Sequence, residues 1–288
     1  MLTKKLFLSL ALVVFTGCSK DDTTDATDSG STDSGSTDSG IVSTDTGETQ
    51  PTGFSMSGVA LDLATLTPAP EGLCIAAADP TKALGGGDLE ILAGSQIGAD
   101  GAFLIEGVTT TSAVGLFMVV QDCEGAEEMT VMPTATGVAP SSYGELGDGD
   151  SLEGLTMLSI SAQAAQGMDA SLQGVGYNGD SVTTTGLMAG FVRDAEGTPI
   201  AGATVSCTDG NGDPCAPVFY ADADPSDGGL FANSTGVNAG TVAEANGLFV
   251  VPGAPIFTYS ATADGHAFQD QLFGSVPGLA TFMTFFAD

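Results

Sequence analysis

Residues 190–205 read GFVRDAEGTPIAGATV, and this stretch decides the fold of the chain. Residues 194–199 combine Asp, Gly and Pro as tight turns do, and the glycine can supply the positive φ that such a turn needs. After the turn, Ile200 is placed to enter a core, the small pair 202–203 permits a close crossing, and Val205 starts a new strand. The pattern predicts two strands joined by a hairpin turn.

The closing half of the same pattern lies further along the chain. Residues 241–253 end in the apolar run GLFVVPG, and residues 259–268 supply another strand and turn. Together with the opening stretch they resemble a carboxypeptidase regulatory-like module of the transthyretin-like fold. The resemblance covers residues 190–268, with a long insertion that begins at Cys207. It implies a β-sandwich of about seven or eight strands over residues 187–288, which serves as an accessory, scaffold or binding domain.

The first half of the folded chain, residues 53–140, looks like a more divergent copy of this module. Apolar or alternating runs at 54–63, 73–78, 102–108 and 114–120 are bounded by Gly, Pro and Asp, as short antiparallel strands are. We therefore predict an all-β chain with two Ig-like or transthyretin-like β-sandwich modules.

Between the two modules, residues 141–186 are interpreted as a connector. The stretch 159–172 is rich in Ala and Gln and predicts a short helix. Residues 174–179 match the glycine spacing of a dinucleotide-binding loop, but no strand precedes them and no helix is predicted after them. In a chain with 41 glycines we interpret this match as coincidental.

An acidic tether of residues 18–52 precedes the folded part. The sequence Thr-Asp-Ser-Gly recurs at Thr27, Thr32 and Thr37, and almost no apolar residue is available to offset the entropy of ordering. The composition predicts a disordered linker that holds the folded part away from the membrane. The alternative is a specific acidic binding tail.

The N-terminus carries the features of an export signal. Lys4 and Lys5 precede an apolar run of ten residues, 6–15, that is too short to span a bilayer as a helix. Residues 14–19, VFTGCS, resemble the lipobox of bacterial lipoproteins, although Phe15 stands where Leu, Val or Ile is usual. The resemblance implies cleavage after residue 17 and a diacylglycerol on the thiol of Cys18.

That resemblance also implies a location. A serine directly after the cysteine is similar to lipoproteins sorted to the outer membrane. We predict an exported chain that is lipid-anchored to a membrane, at the outer membrane or the cell surface. The alternative interpretation is an ordinary signal peptide that ends near a coincidental cysteine.

Charge excludes one class of partner. The chain has 36 acidic and 5 basic residues, a formal net charge of −31. Once residues 1–17 are removed, the basic side chains are Lys20, Lys82 and Arg193. Such a surface repels phosphate backbones, so nucleic acid is not expected to be a partner.

The remaining cysteines fit an oxidising compartment. With Cys18 assigned to the lipid, four are left, and an even number is typical of disulfides in exported proteins. Their order along the chain predicts one bridge in each module, Cys74 with Cys123 and Cys207 with Cys215. The sequence alone does not fix this connectivity, and buried free thiols are the alternative.

Calcium is the one cofactor that the sequence suggests. Asp209, Asn211 and Asp213 alternate as the first three ligands of a calcium loop do. Pro214 stands where a helix-loop-helix calcium loop has glycine, and no glutamate follows at the twelfth position. Three further carboxylates that follow in the insertion are Asp222, Asp224 and Asp227. The alternative is a plain turn-rich loop, because Asp-Gly, Asn-Gly and Asp-Pro are common turn formers.

Catalytic motifs are not found in the sequence. His266 is the single histidine, so zinc motifs that need two are excluded, and no Gly-x-Ser-x-Gly elbow occurs. We expect His266 to have a structural role. The chain is predicted to be a non-catalytic binding or structural module whose partners are the membrane, through its lipid, and an unidentified protein or polysaccharide. The alternative is an extracellular hydrolase or carbohydrate-active accessory protein that uses Asp and Glu.

Overall fold

The computed structural model of the chain describes residues 52–84, 87–110, 112–209, 213–222, 231, 241 and 247–287. The predicted signal peptide, Cys18 and the tether up to residue 51 lie outside this part of the chain. Within it the protein is an all-β sandwich, and this prediction from the sequence is confirmed.

The described residues form fifteen strands. In chain order they are β1 Phe54–Asp62, β2 Cys74–Asp79, β3 Glu90–Gln96, β4 Ala102–Val108, β5 Leu116–Gln121, β6 Val131–Met132, β7 Thr134–Val138, β8 Ser151–Ser161, β9 Leu187–Arg193, β10 Thr204–Cys207, β11 Phe219–Tyr220, β12 Leu248–Pro252, β13 Phe257–Thr262, β14 Gln271–Phe273 and β15 Ala280–Phe286. The helices are α1 Thr81–Leu84, α2 Ala162–Gly174 and α3 Val182–Thr185.

The strands of the described residues are arranged in three sheets. A four-stranded sheet has the order β4-β1-β8-β6, and a three-stranded sheet has the order β10-β13-β14. An eight-stranded sheet, β11-β12-β9-β15-β7-β5-β2-β3, contains strands from both halves of the chain. Its central strand is β15, which pairs in parallel with β9 on one side and with β7 on the other.

Most residues of β9 and β15 are buried, because both faces of the eight-stranded sheet are covered there. Alternate residues of a strand point to opposite faces. In β15, Met283 and Phe285 belong to the core shared with the three-stranded sheet, whereas Phe282 belongs to the core beneath α2. Phe282 is in register with Thr136 of β7, which is in register with Met118 of the first sandwich's core, so the two sandwiches pack on opposite faces of one sheet.

Of the four core clusters among the described residues, the three largest fill this arrangement. The first lies between the four-stranded sheet and the β3-β2-β5-β7 half of the large sheet, and Met56, Ile75, Ile105 and Met118 are fully buried there. The second packs the three-stranded sheet against β9, β12 and β15. The third joins α2 to the large sheet. The second core contains Phe249, Tyr259 and Phe285. The third core contains Met168, Leu172 and Phe282.

The stretch 190–205 forms the turn that its sequence predicts. Gly197 has φ +84° and its N–H donates to the carbonyl of Asp194, while Ile200 is 8% exposed. The hairpin pairing is limited to one isolated bridge between Arg193 and Pro199. The chain then crosses to the three-stranded sheet, where β10 pairs with β13. The small residues 202–203 lie at this crossing.

The predicted connector contains more sheet than expected. Residues 151–161 form β8, which pairs in parallel with β1 and so belongs to the first sandwich. The sequence did not show this strand, because Gly154 interrupts its alternation and its first residues are exposed. The helix that was expected over 159–172 is α2, Ala162–Gly174; its N-cap is Ser161, whose hydroxyl accepts from the N–H of Ala164 at 3.1 Å.

Candidate functional site

A cleft of about 440 Å³ opens at the end of the first sandwich, where β1 begins and β4 ends. One wall is the segment that follows β4, with residues 109–110 and 112. The other wall is the loop after β7, with residues 140–148. Small-molecule sites typically measure about 300–1,000 Å³, so the cleft has the size of a ligand site.

Hydrogen bonds through Asp79, the last residue of β2, hold the two walls in place. One carboxylate oxygen of Asp79 accepts from the hydroxyl of Ser112 at 3.2 Å and from the N–H of Thr81 at 2.8 Å. The carbonyl of Ser112 in turn accepts from the hydroxyl of Tyr143, on the opposite wall, at 3.2 Å. The cleft is therefore positioned by a network that begins in the sheet.

The charges in this network are stable at neutral pH. Burial alone would raise the pKa of Asp79, but hydrogen bonds from Thr81 and Ser112 and the charge of Lys82 lower it below its usual value. Burial raises the pKa of Tyr143, and the negative charge of Asp79 raises it further. Asp79 is thus ionised, and Tyr143 keeps the proton that it donates.

The floor of the cleft is a pair of stacked rings. Phe54 and Tyr143 lie with their centroids 6.0 Å apart and their planes 11° from parallel. Each residue is only 5% exposed, so the rings support the floor but offer little apolar surface to a ligand.

A ligand can reach polar groups beside the apolar side chains of Pro140 and Leu146. The hydroxyl of Thr110 accepts from the N–H of Ser112 at 3.0 Å and keeps its own proton to donate. Asp148 accepts from the N–H of Gly53 at 2.7 Å through one oxygen, and its second oxygen is an acceptor. Among the described residues that line the cleft, none is cationic and Asp148 is the single carboxylate.

Comparisons with known proteins found matches only among solved structures. No family model matches the chain, and no curated protein is significantly similar in sequence. The solved structures that it resembles include the Bacillus anthracis TIE protein, at 8% identity and a TM-score of 0.23. The match covers 81% of this chain and 33% of the TIE protein chain.

Two pilins show a similar level of likeness. The shaft pilin SpaA from Lactobacillus rhamnosus GG is 10% identical, with a TM-score of 0.22 and coverage of 82% of this chain and 97% of the pilin. A streptococcal ancillary pilin is 11% identical, with a TM-score of 0.24 and coverage of 81% and 68%. Likeness of this degree identifies neither a fold family nor a function.

The four cysteines that were predicted to form bridges all lie in the described residues. Cys74 is joined to Cys123 across the ends of β2 and β5, with the Cα atoms 4.9 Å apart. Cys207 is joined to Cys215 at the base of the insertion, with the Cα atoms 5.6 Å apart. Each half of the chain contains one bridge, and neither lines the cleft. Cys18 lies outside the described residues.

The predicted calcium loop is only partly described. Asn211 lies outside the described residues, as do Asp224 and Asp227 in the rest of the insertion. Asp209 and Asp213 face each other across a turn, in which a carboxylate oxygen of Asp209 accepts from the N–H of Asp213 at 3.1 Å. Within the described residues no group of three His, Cys, Asp or Glu side chains is arranged to hold a metal. Calcium binding at this loop stays a prediction.

His266 lies in an exposed turn and lines a second hollow of about 400 Å³. The ring centroid of His266 is 6.3 Å from that of Phe268, and the backbone N–H of His266 donates to the carbonyl of Ala263. In the described part of the chain, no helix has the length and hydropathy that crossing a bilayer requires.

The cleft residues were missed in the sequence, although two signals pointed to them. Three threonines follow a predicted strand at 109–111, and a glycine- and aspartate-rich run occupies 144–150. Both are loop compositions, and loops that a rigid sheet positions often carry binding residues. What the sequence could not show is that the two loops meet.

Proposed function

We propose that the protein is an exported, lipid-anchored and non-catalytic binding or structural component of the cell surface or outer membrane. Its N-terminal lipid on Cys18 would hold it to the membrane, and the acidic stretch 18–52 would space the folded part from it. The ligand would be a protein or polysaccharide and not a nucleic acid. The proposal includes the carboxypeptidase regulatory-like, transthyretin-like character of residues 190–268.

The observation that carries this proposal is the shared eight-stranded sheet. Because β15 hydrogen-bonds to both β9 and β7, the two sandwiches are joined through one continuous sheet. A rigid unit of this kind suits a scaffold that presents its loops, and the cleft, to the surroundings.

The experiment is fractionation of cells that express the full chain or its Cys18→Ala variant. A single acyl chain binds membranes only marginally, whereas a lipoprotein anchor supplies two or three. We expect the wild-type chain in the membrane fraction and Cys18→Ala in the soluble fraction. Ser19→Ala, which keeps the cysteine, is the matched control and should stay with the membrane. Sedimentation of Cys18→Ala with the membrane would overturn the proposal.

A further inference from the structure

The cleft beside β1 selects the chemistry of its ligand through its hydrogen-bonding groups. The hydroxyl of Ser112 donates to Asp79, so it can only accept from a ligand. Asp148 offers a second acceptor, and the hydroxyls of Thr109 and Thr110 can both donate and accept. Acceptors therefore outnumber donors, and a complementary ligand must bring several donors of its own.

The same cleft disfavours two other classes of ligand. Anionic ligands would meet the carboxylate of Asp148 in a cleft whose described lining contains no cation, on a chain of net charge −31. Apolar peptide anchors would find no aromatic surface to cover, because Phe54 and Tyr143 are 5% exposed and the accessible apolar side chains are the partly buried Pro140 and Leu146.

We propose that this cleft binds a neutral, hydroxyl-rich ligand of the oligosaccharide class. Sugar hydroxyls can donate to Asp148 and Ser112 while accepting from Thr110, which satisfies both sides of the contact. The proposal rests on the binding role proposed above and specifies its ligand. The walls are already held in place by the hydrogen bonds that Ser112 donates to Asp79 and accepts from Tyr143, so little ordering is needed on binding.

The test is an amide NMR titration of the isotopically labelled full chain with four neutral tetrasaccharides: cellotetraose, maltotetraose, mannotetraose and chitotetraose. At least one should shift the amides of residues 109, 110, 112 and 144–148 at about 10 mM or below. Tetragalacturonate, which is anionic, should leave these amides unchanged, and a basic tetrapeptide, which the acidic chain attracts without specific contacts, should shift them less than the best tetrasaccharide does. The result does not depend on membrane attachment, so its failure is distinct from failure of the fractionation experiment.

Variants decide whether the named groups carry the binding. Thr110→Val keeps the shape of the side chain but removes the hydroxyl, and we expect about tenfold weaker binding. Asp148→Asn should weaken binding at least as much, since it replaces a charged acceptor. Thr204→Val, at the second hollow, is the matched control and should bind as the wild type does. The proposal is overturned if no neutral tetrasaccharide shifts the cleft amides of folded protein, if the anion or the peptide shifts them instead, or if Thr110→Val and Asp148→Asn both bind with wild-type affinity.

Discussion

At the scale of single residues, burial decides which side chains the fold depends on. Tyr259 in β13 is fully buried, and its hydroxyl donates to the carbonyl of Pro255 at 3.0 Å. Burial raises the pKa of Tyr259 to about 12, from an ordinary value of 10.0. The folded state therefore holds this proton more tightly than the unfolded chain does.

The first prediction concerns Tyr259→Phe. At neutral pH the variant should be about 1 kcal/mol less stable, because the hydrogen bond to Pro255 is lost. The contribution of the tightly held proton is fully present below pH 10 and is lost as the pH rises from about 10 to 12. The stability gap between wild type and variant should therefore narrow over this range, as measured by urea unfolding. A gap that stays constant up to pH 11.5 would contradict the burial of this hydroxyl.

A second prediction compares two glycines. A Cβ on Gly190 in β9 would lie 2.6 Å from a ring carbon of Phe249 and 3.0 Å from the Cγ of Met283. We expect Gly190→Ala to lower the free energy of unfolding by about 1–3 kcal/mol through overpacking. Gly167 in α2 has no neighbour within 4 Å of such a Cβ, so Gly167→Ala should raise it by about 0.5–1 kcal/mol. Equal effects of the two substitutions in denaturant unfolding would argue against the packing of β9.

At the scale of elements, strands with clear boundaries could be predicted and those without could not. β1, β2, β4 and β5 lie within about two residues of their expected positions, because apolar runs there end at Gly, Pro or Asp. β8 was missed, since a strand with Gly154 inside it and an exposed first half lacks the alternation of a half-buried strand.

The most specific chemical prediction from the sequence concerns the insertion after β10, where a calcium site is expected. Calcium prefers carboxylate and amide oxygens, and Asp209, Asn211 and Asp213 would supply three of them. We expect any calcium-induced rise in the melting temperature to disappear in the double variant Asp209→Ala with Asp213→Ala, because binding to the folded state alone stabilises it by mass action. Thermal unfolding in millimolar calcium and in a chelator measures this.

The matched control for the calcium experiment is Asp264→Ala, which removes a carboxylate from another exposed turn and should keep the rise. A calcium-induced rise that survives the double variant would place the ion elsewhere. Without a rise in the wild-type protein, the segment from Cys207 to Cys215 is a turn closed by a disulfide.

At the scale of the whole molecule, the chain is organised around its last strand. The sequence predicted two sandwiches in succession but not that they share a sheet, because the partners of β15 are set by pairing between distant segments. Phe282 lies opposite Thr136 of β7 and Ala189 of β9, and no local sequence pattern predicts either pairing. The residues of the cleft were missed for the same reason, since each wall is a separate loop.

The central claim is that the two sandwiches form one cooperative unit, and native-state hydrogen exchange tests it most directly. Phe285 of β15 is fully buried in the second core, whereas its neighbour Phe286 is 54% exposed. Phe285→Ala should lower the free energy of unfolding by about 3–5 kcal/mol, whereas Phe286→Ala, the control, should change it little.

We predict that amides of β5 in the first sandwich and of β12 in the second open with the same free energy, and that Phe285→Ala lowers both equally. If β12 loses protection in Phe285→Ala while β5 keeps its own, the sandwiches unfold separately and the claim is wrong.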